Sequence, residues 1–189
     1  MRRRFDRPPP GPRPSIPYPR AHLLQAALDF VRAAQKLPGV RRISLVGSLT
    51  TEKPVPKDVD LLLRIDAAMD LAPLAKIGRR LRGEANHINL SADIFLADEG
   101  GRYLGRICRY RECFARMLCE AQNCGRRQHL NDDLQVVTLA ADLIAAPPID
   151  LWPRVVSRCD VPPDTEELLV AKLEAAETRN GGAEAAEQG

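Results

Sequence analysis

Residues 45–60 read LVGSLTTEKPVPKDVD, and the fold predicted for this chain follows from this stretch and the sequence on either side of it. An apolar strand runs into a Gly-Ser turn, and a loop with two prolines and two lysines follows. The loop ends at Asp58 and Asp60, which open the apolar run VDLLLRI. Because side chains alternate along a strand, Asp58 and Asp60 point the same way while Val59 points into the core. Two neighbouring carboxylates repel each other unless a cation lies between them, so the pair predicts a metal site.

The flanking sequence predicts a small mixed sheet covered by helices. The run AHLLQAALDFVRAAQKL carries an apolar stripe at helical spacing, and VRRISLVG, VDLLLRI and INLSADIFL read as strands. A second helix, closed by Gly83, precedes the third strand. This order of helices and strands indicates an α/β (α+β) core domain over residues 21–101.

A third carboxylate, Asp93, stands inside the apolar strand sequence SADIFLA, where aspartate is disfavoured. If its strand pairs with that of Asp60, the three aspartates form a site able to hold two metal ions, and Mg²⁺ suits oxygen ligands beside phosphate. The glycine of the Gly-Ser turn lets the backbone approach a ligand closely, and N–H groups exposed there bind an anion. Together these features predict metal-assisted phosphoryl or nucleotidyl transfer.

The order of these motifs resembles the nucleotidyltransferase domain of the DNA polymerase beta superfamily, whose small members are called minimal nucleotidyltransferases. The likeness covers about residues 20–98. It consists of an apolar strand with Gly-Ser, nine intervening residues, Asp-x-Asp in an apolar strand, and an apolar-Asp-apolar strand. The resemblance implies the nucleotidyltransferase fold, two Mg²⁺ ions, and transfer of a nucleoside monophosphate, with AMP from ATP as the expected case.

The resemblance also implies a role for each matched residue. Gly47 and Ser48 would bind the β and γ phosphates of the triphosphate. Asp58 and Asp60 would ligate both metals. Asp93 would ligate the catalytic metal and help to deprotonate the acceptor hydroxyl, which attacks the α-phosphorus while pyrophosphate leaves.

Nothing in the sequence identifies the acceptor, which could be a small molecule or a protein. The chain is short for a polymerase with its added nucleic-acid-binding domains, so nucleic acid is a possible partner but is not indicated. One alternative is a catalytically inactive nucleotide- or RNA-binding module, or an antitoxin-type partner protein, that uses the same fold. Another is that the aspartates form only a solvated strand entrance beside an ordinary turn.

Residues 102–178 read as a short, mainly helical extension rich in arginine and cysteine, with helices over 109–125, 132–146 and 162–177. Four cysteines in this segment could form a structural Zn²⁺ site or could be buried thiols of an amphipathic helix, and their loose spacing favours buried thiols. These cysteines are Cys108, Cys113, Cys119 and Cys124. The arginines of the segment could bind RNA or a triphosphate, or could simply face solvent.

Both ends of the chain read as tails: a disordered Pro/Arg-rich segment over residues 1–20 and a flexible segment over 179–189. The formal net charge of +3 is uneven, because residues 1–20 hold six arginines and one aspartate. No apolar run is long enough to cross a membrane, and no apolar segment of a signal peptide follows the first arginines. The five cysteines then suggest reduced thiols, so we expect a cytoplasmic protein.

Overall fold

The computed structural model of the protein describes residues 19–111, 127–131, 146–156 and 160–176. The helices within these ranges are α1 (Pro19–Ala34), α2 (Leu71–His87) and α3 (163–176), and the middle of α3, Glu166–Val170, is π-helical. The strands are β1 (Val40–Val46), β2 (Asp58–Ile65), β3 (Ser91–Ala97), β4 (Tyr103–Ile107), β5 (Leu130–Asn131) and β6 (Ile149–Trp152). A short 3-10 turn, Gly47–Thr50, follows β1. None of the described helices is long and apolar enough to cross a membrane.

The strands form one open, mixed sheet in the order β5-β4-β3-β2-β1-β6. β2 and β3 are parallel and are joined by α2, whereas the other neighbouring strands pair antiparallel. A parallel pair with a helical crossover places the start of β2 beside the start of β3. The end of β1 reaches the same edge because β1 runs antiparallel to β2. The mixed α+β class that the sequence predicts is thus confirmed.

Alternation along β2 and β3 gives the sheet a core face. Val59, Leu61 and Leu63 of β2 are fully buried, and so are Ile94 and Leu96 of β3. They belong to one apolar cluster with the buried sides of α1 and α2, and removal of this surface from water stabilises the fold. Asp58, Asp60 and Asp93 occupy alternate positions on the same two strands, so their side chains point to the opposite face of the sheet.

The helices and strands predicted between residues 21 and 98 are confirmed with shifted ends; β3, for example, begins at Ser91 rather than at residue 88. α1 begins at Pro19, a residue suited to a first helical position, so Arg20 is helical rather than part of a disordered tail. α2 continues past Gly83 for a further turn. It does so because Ala85 is fully buried and extends the apolar face of the helix.

After residue 101 the structure describes three strands, so the prediction of a mainly helical segment is wrong for these residues. β4, β5 and β6 all come from this segment and belong to the same sheet. β4 and β5 add to it beside β3, and β6 adds to it beside β1. Such short strands carry little local signal and form through pairing; for example, Arg106 of β4 lies opposite Phe95 of β3. α3 confirms the last predicted helix, whereas those at 109–125 and 132–146 fall almost entirely outside the described residues.

Candidate active site

Strand pairing brings the three predicted aspartates to one edge of the sheet. Asp60 of β2 lies directly opposite Asp93 of β3, and Asp58 lies opposite Ser91. Asp58 and Asp60 are two residues apart, so both side chains project from the face of β2 opposite to the buried side chain of Val59. The parallel register therefore places the third carboxylate beside the first two.

The Gly-Ser turn lies at the same edge as the aspartates. Val46, the last residue of β1, pairs with Asp60, and Gly47 follows it directly. Gly47 has a φ of 73°, in the left-handed region that favours glycine. The Thr50 hydroxyl donates a 2.8 Å hydrogen bond to the carbonyl of Gly47, which closes the turn.

The side chain of Ser48 is left unsatisfied while its backbone is held in place. Its hydroxyl oxygen is buried and has no hydrogen-bond partner among the described residues. Its carbonyl accepts hydrogen bonds from the backbone amide and the hydroxyl of Thr51, at 3.3 and 3.0 Å. Because a buried hydroxyl without a partner is costly, this atom marks a group that a bound ligand would satisfy.

Burial and neighbouring charge make Asp60 hold a proton. Asp60 is only 4% exposed, and its burial, together with the charges of Asp58 and Asp93, raises its pKa to about 8. Burial also raises the pKa of Asp58, although the hydrogen bond to Asp60 and the charges of Lys53 and Lys57 oppose this. At neutral pH the Asp58–Asp60 pair therefore keeps a proton, which a bound cation would displace.

Asp93 has a different environment, because two arginines reach it. Arg106 Nη1 of β4 donates to Asp93 Oδ1 at 3.2 Å, and Arg82 Nη2 of α2 lies 3.6 Å from the same oxygen. Arg82 is itself fixed by a 2.9 Å hydrogen bond from its Nε to the carbonyl of Ala92. The third aspartate is thus an ion-paired carboxylate.

The carboxylates differ in how well they suit a divalent cation. Within the described ranges, no group of three or more His, Cys, Asp or Glu side chains is arranged to hold a metal ion. Asp58 and Asp60 fit such an ion, because they offer the oxygen ligands that Mg²⁺ prefers and share a proton that it would replace. Asp93 is instead paired with Arg106 and Arg82 through Oδ1, and its role as a metal ligand stays a prediction.

Arg20, a residue that the sequence does not single out, connects the loop after the Gly-Ser turn to α3. Its Nη2 donates to Asp164 Oδ1 of α3 at 2.9 Å, and its Nη1 donates to the carbonyl of Lys53 at 2.9 Å. Beside it, the Thr165 hydroxyl donates to the carbonyl of Leu49 within the turn at 2.9 Å. No local pattern could have revealed Arg20, because its partners are distant in sequence.

Only one of the four predicted zinc ligands lies in the described part of the chain. Cys108 directly follows β4, where it is a buried thiol, and its backbone amide donates to the carbonyl of His129 at 2.8 Å. Cys113, Cys119 and Cys124 lie outside the described residues. The choice between a zinc site and buried thiols therefore stays a prediction.

The edge of the sheet thus combines a glycine turn, a proton-sharing carboxylate pair and an ion-paired carboxylate. Such an arrangement can bind a polyphosphate and a cation next to a group that accepts a proton. Comparisons with protein-family models, curated proteins and solved structures found no match for this chain. What the site does is therefore inferred from its geometry and chemistry.

Proposed function

We propose that the protein is a metal-dependent nucleotidyltransferase with the fold of the DNA polymerase beta superfamily. It moves a nucleoside monophosphate, in the expected case AMP from ATP, onto a hydroxyl group. The observation that carries this proposal is the register in which Asp60 pairs with Val46 on one side and with Asp93 on the other. That register puts the Gly47 turn and the three aspartates at one edge of the sheet.

In this proposal the turn holds the triphosphate. Gly47 allows the chain to reverse close to the β and γ phosphates, and the unpartnered Ser48 hydroxyl donates to a phosphate oxygen. Arg20 keeps the following loop in place through the carbonyl of Lys53. A fixed turn lowers the entropy that is lost when the triphosphate binds.

The three carboxylates have two roles. Asp58 and Asp60 would hold Mg²⁺, which when bound neutralises charge on the phosphates and on the leaving pyrophosphate. Asp93, oriented by Arg106, accepts the proton of the acceptor hydroxyl. The hydroxyl oxygen forms a bond to the α-phosphorus, the bond from the α-phosphorus to the bridging oxygen breaks, and pyrophosphate carries away that electron pair.

A screen of acceptors with each labelled nucleoside triphosphate and Mg²⁺ tests this proposal. The expected result is release of pyrophosphate together with a labelled product, lost in Asp60→Asn and in Asp58→Asn. Asp66→Asn is the matched control, because Asp66 lies just beyond the far end of β2 and pairs with Arg41. If pyrophosphate release survives in Asp60→Asn, the proposal is wrong. If the wild type never turns over and binds RNA independently of these aspartates, the chain is a binding module instead.

A further inference from the structure

A cleft on the far side of Asp93 from Asp60 is not used by the proposed triphosphate site. It has a volume of about 320 Å³ and lies between α2, β4 and the start of β3. Its charged lining residues in the described part of the chain are Asp93, Arg82, Arg106 and Arg109. Asp93 thus borders the cleft and also stands beside Asp60.

Basic side chains outnumber acidic ones in the described lining of the cleft. Three guanidinium groups face it, whereas Asp93 is its one acidic lining residue among those described. Burial is the main reason that the pKa of Arg82 is lowered; the charge of Asp93 opposes this shift, and repulsion by Arg109 and Arg106 adds to it. An anion in the cleft would relieve this repulsion.

Two buried polar atoms in the cleft lining also lack partners. Arg82 Nη1 and Asn131 Oδ1 are buried and have no hydrogen-bond partner among the described residues. Both residues line the cleft. A buried N–H of a guanidinium group is a strong donor to an anion, and the amide oxygen of Asn131 could accept from a hydroxyl group.

We propose that this cleft binds the acceptor, and that the acceptor is a small molecule that carries a phosphate group as well as its reacting hydroxyl. The inference rests on the proposed nucleotidyl transfer, whose acceptor it specifies. Guanidinium groups match phosphate oxygens with two parallel hydrogen bonds. The guanidinium groups of the described lining, with the unpartnered Nη1 of Arg82 among them, therefore suit a phosphate group. A phosphate held by the arginines brings the rest of the molecule to Asp93, where the hydroxyl loses its proton.

The size of the cleft favours a small acceptor over a nucleic acid. Its volume of about 320 Å³ is at the lower end of the range for small-molecule sites, roughly 300 to 1,000 Å³. RNA would also present phosphates, but it needs a groove that follows the backbone over several nucleotides. An RNA acceptor is therefore an outcome that the experiment must be able to show.

Binding of inorganic phosphate, measured by calorimetry on the full chain without metal or nucleotide, tests the cleft independently of any turnover. The wild type should bind phosphate, and Arg109→Gln and Arg82→Gln should each weaken binding about tenfold, since each removes a charged donor. Arg109 is exposed, so Arg109→Gln keeps the test valid even if Arg82→Gln does not fold. Arg80→Gln, an exposed position on α2 outside the cleft, is the control and should bind as the wild type does. Equal binding by all four proteins, or no binding at millimolar phosphate, overturns the proposal.

Matched acceptor pairs then test the role of the cleft in the reaction. Glycerol 3-phosphate against glycerol, and ribose 5-phosphate against ribose, are compared by release of pyrophosphate with Mg²⁺ and ATP. The phosphorylated member of a pair should be at least about tenfold better, and Arg109→Gln should remove most of that preference. Equal rates within the pairs, or a much better rate with an RNA oligonucleotide, would overturn the inference and leave the proposed function standing. Phosphate binding that depends on the arginines, with no pyrophosphate from any acceptor, would instead refute nucleotidyl transfer and with it the acceptor role.

Discussion

Asp60 and Asp93 lie directly opposite each other on the parallel strands β2 and β3, yet the two carboxylates have different counter-charges. Asp93 forms ion pairs with Arg106 and Arg82, whereas Asp60 is buried next to Asp58, and Arg106 opposes its raised pKa only weakly. One aspartate, Asp93, is thus an ion-paired carboxylate. The other keeps its proton until a cation replaces it.

The metal-free protein should lose stability as the pH rises towards and through about 8. The pKa of Asp60 is about 8 in the folded chain against an ordinary value of 3.8, so between these two pH values the folded state binds more protons than the unfolded state. The free energy of unfolding therefore falls with increasing pH, by an amount on the order of a few kcal/mol at most. Urea unfolding in a chelator at about pH 5.5 and about pH 9 measures this difference.

Asp60→Asn is the control that isolates this effect. The variant has no carboxyl group to ionise at that position, so its loss of stability over the same pH interval should be much smaller. It should also be more stable than the wild type at about pH 9 without metal, because the wild type must bury a charge there. An identical pH dependence in the two proteins would contradict a buried Asp60 with a raised pKa.

Magnesium binding should release a proton near neutral pH. The Asp58–Asp60 pair shares a proton that must leave before both carboxylates coordinate the ion, so affinity should rise with pH up to about 8. Calorimetry in two buffers of different ionisation enthalpy counts the released protons directly. A heat of binding that is the same in both buffers would contradict the prediction.

Gly47→Ala should damage the turn, whereas Gly83→Ala should not. Gly47 has a φ of 73°, and an L-residue in that region costs about 1–2 kcal/mol of stability. We expect Gly47→Ala to lower the midpoint of unfolding and to weaken ATP binding severalfold. Gly83 is helical, and an added Cβ there meets nothing within 4 Å, so Gly83→Ala should stabilise the chain by about 0.5–1 kcal/mol. Equal effects of the two substitutions would contradict the role of Gly47.

Removal of Arg20 should loosen the loop that follows the turn. Arg20→Gln breaks the ion pair with Asp164 and the hydrogen bond to the Lys53 carbonyl, which should cost about 1–3 kcal/mol. The KM for the triphosphate should rise more than kcat falls, because Arg20 orders the site without reaching the reacting atoms. Arg32→Gln, in the last turn of the same helix, is the control. A loss confined to stability, with KM unchanged, would make Arg20 purely structural.

The sequence predicts the central part of this fold because the information there is local. Alternation along VDLLLRI separates the aspartates from Val59 and Leu61, and an aspartate within SADIFLA stands out against the apolar strand. β5 and β6 are too short to show such a pattern, and they form by pairing with β4 and β1. For the same reason no sequence pattern reveals that Arg82 and Arg106 converge on Asp93, since the strand register and the packing of α2 decide it.

The most direct test of the central claim is the binding of a non-hydrolysable ATP analogue, measured by calorimetry with and without Mg²⁺. The site should bind the analogue tightly only with Mg²⁺, and Asp60→Asn should lose this dependence while Asp66→Asn keeps it. Because no acceptor is needed, the result does not depend on finding the substrate. Binding that ignores both Mg²⁺ and the Asp60→Asn substitution would contradict a magnesium–triphosphate site at Gly47, Asp58 and Asp60.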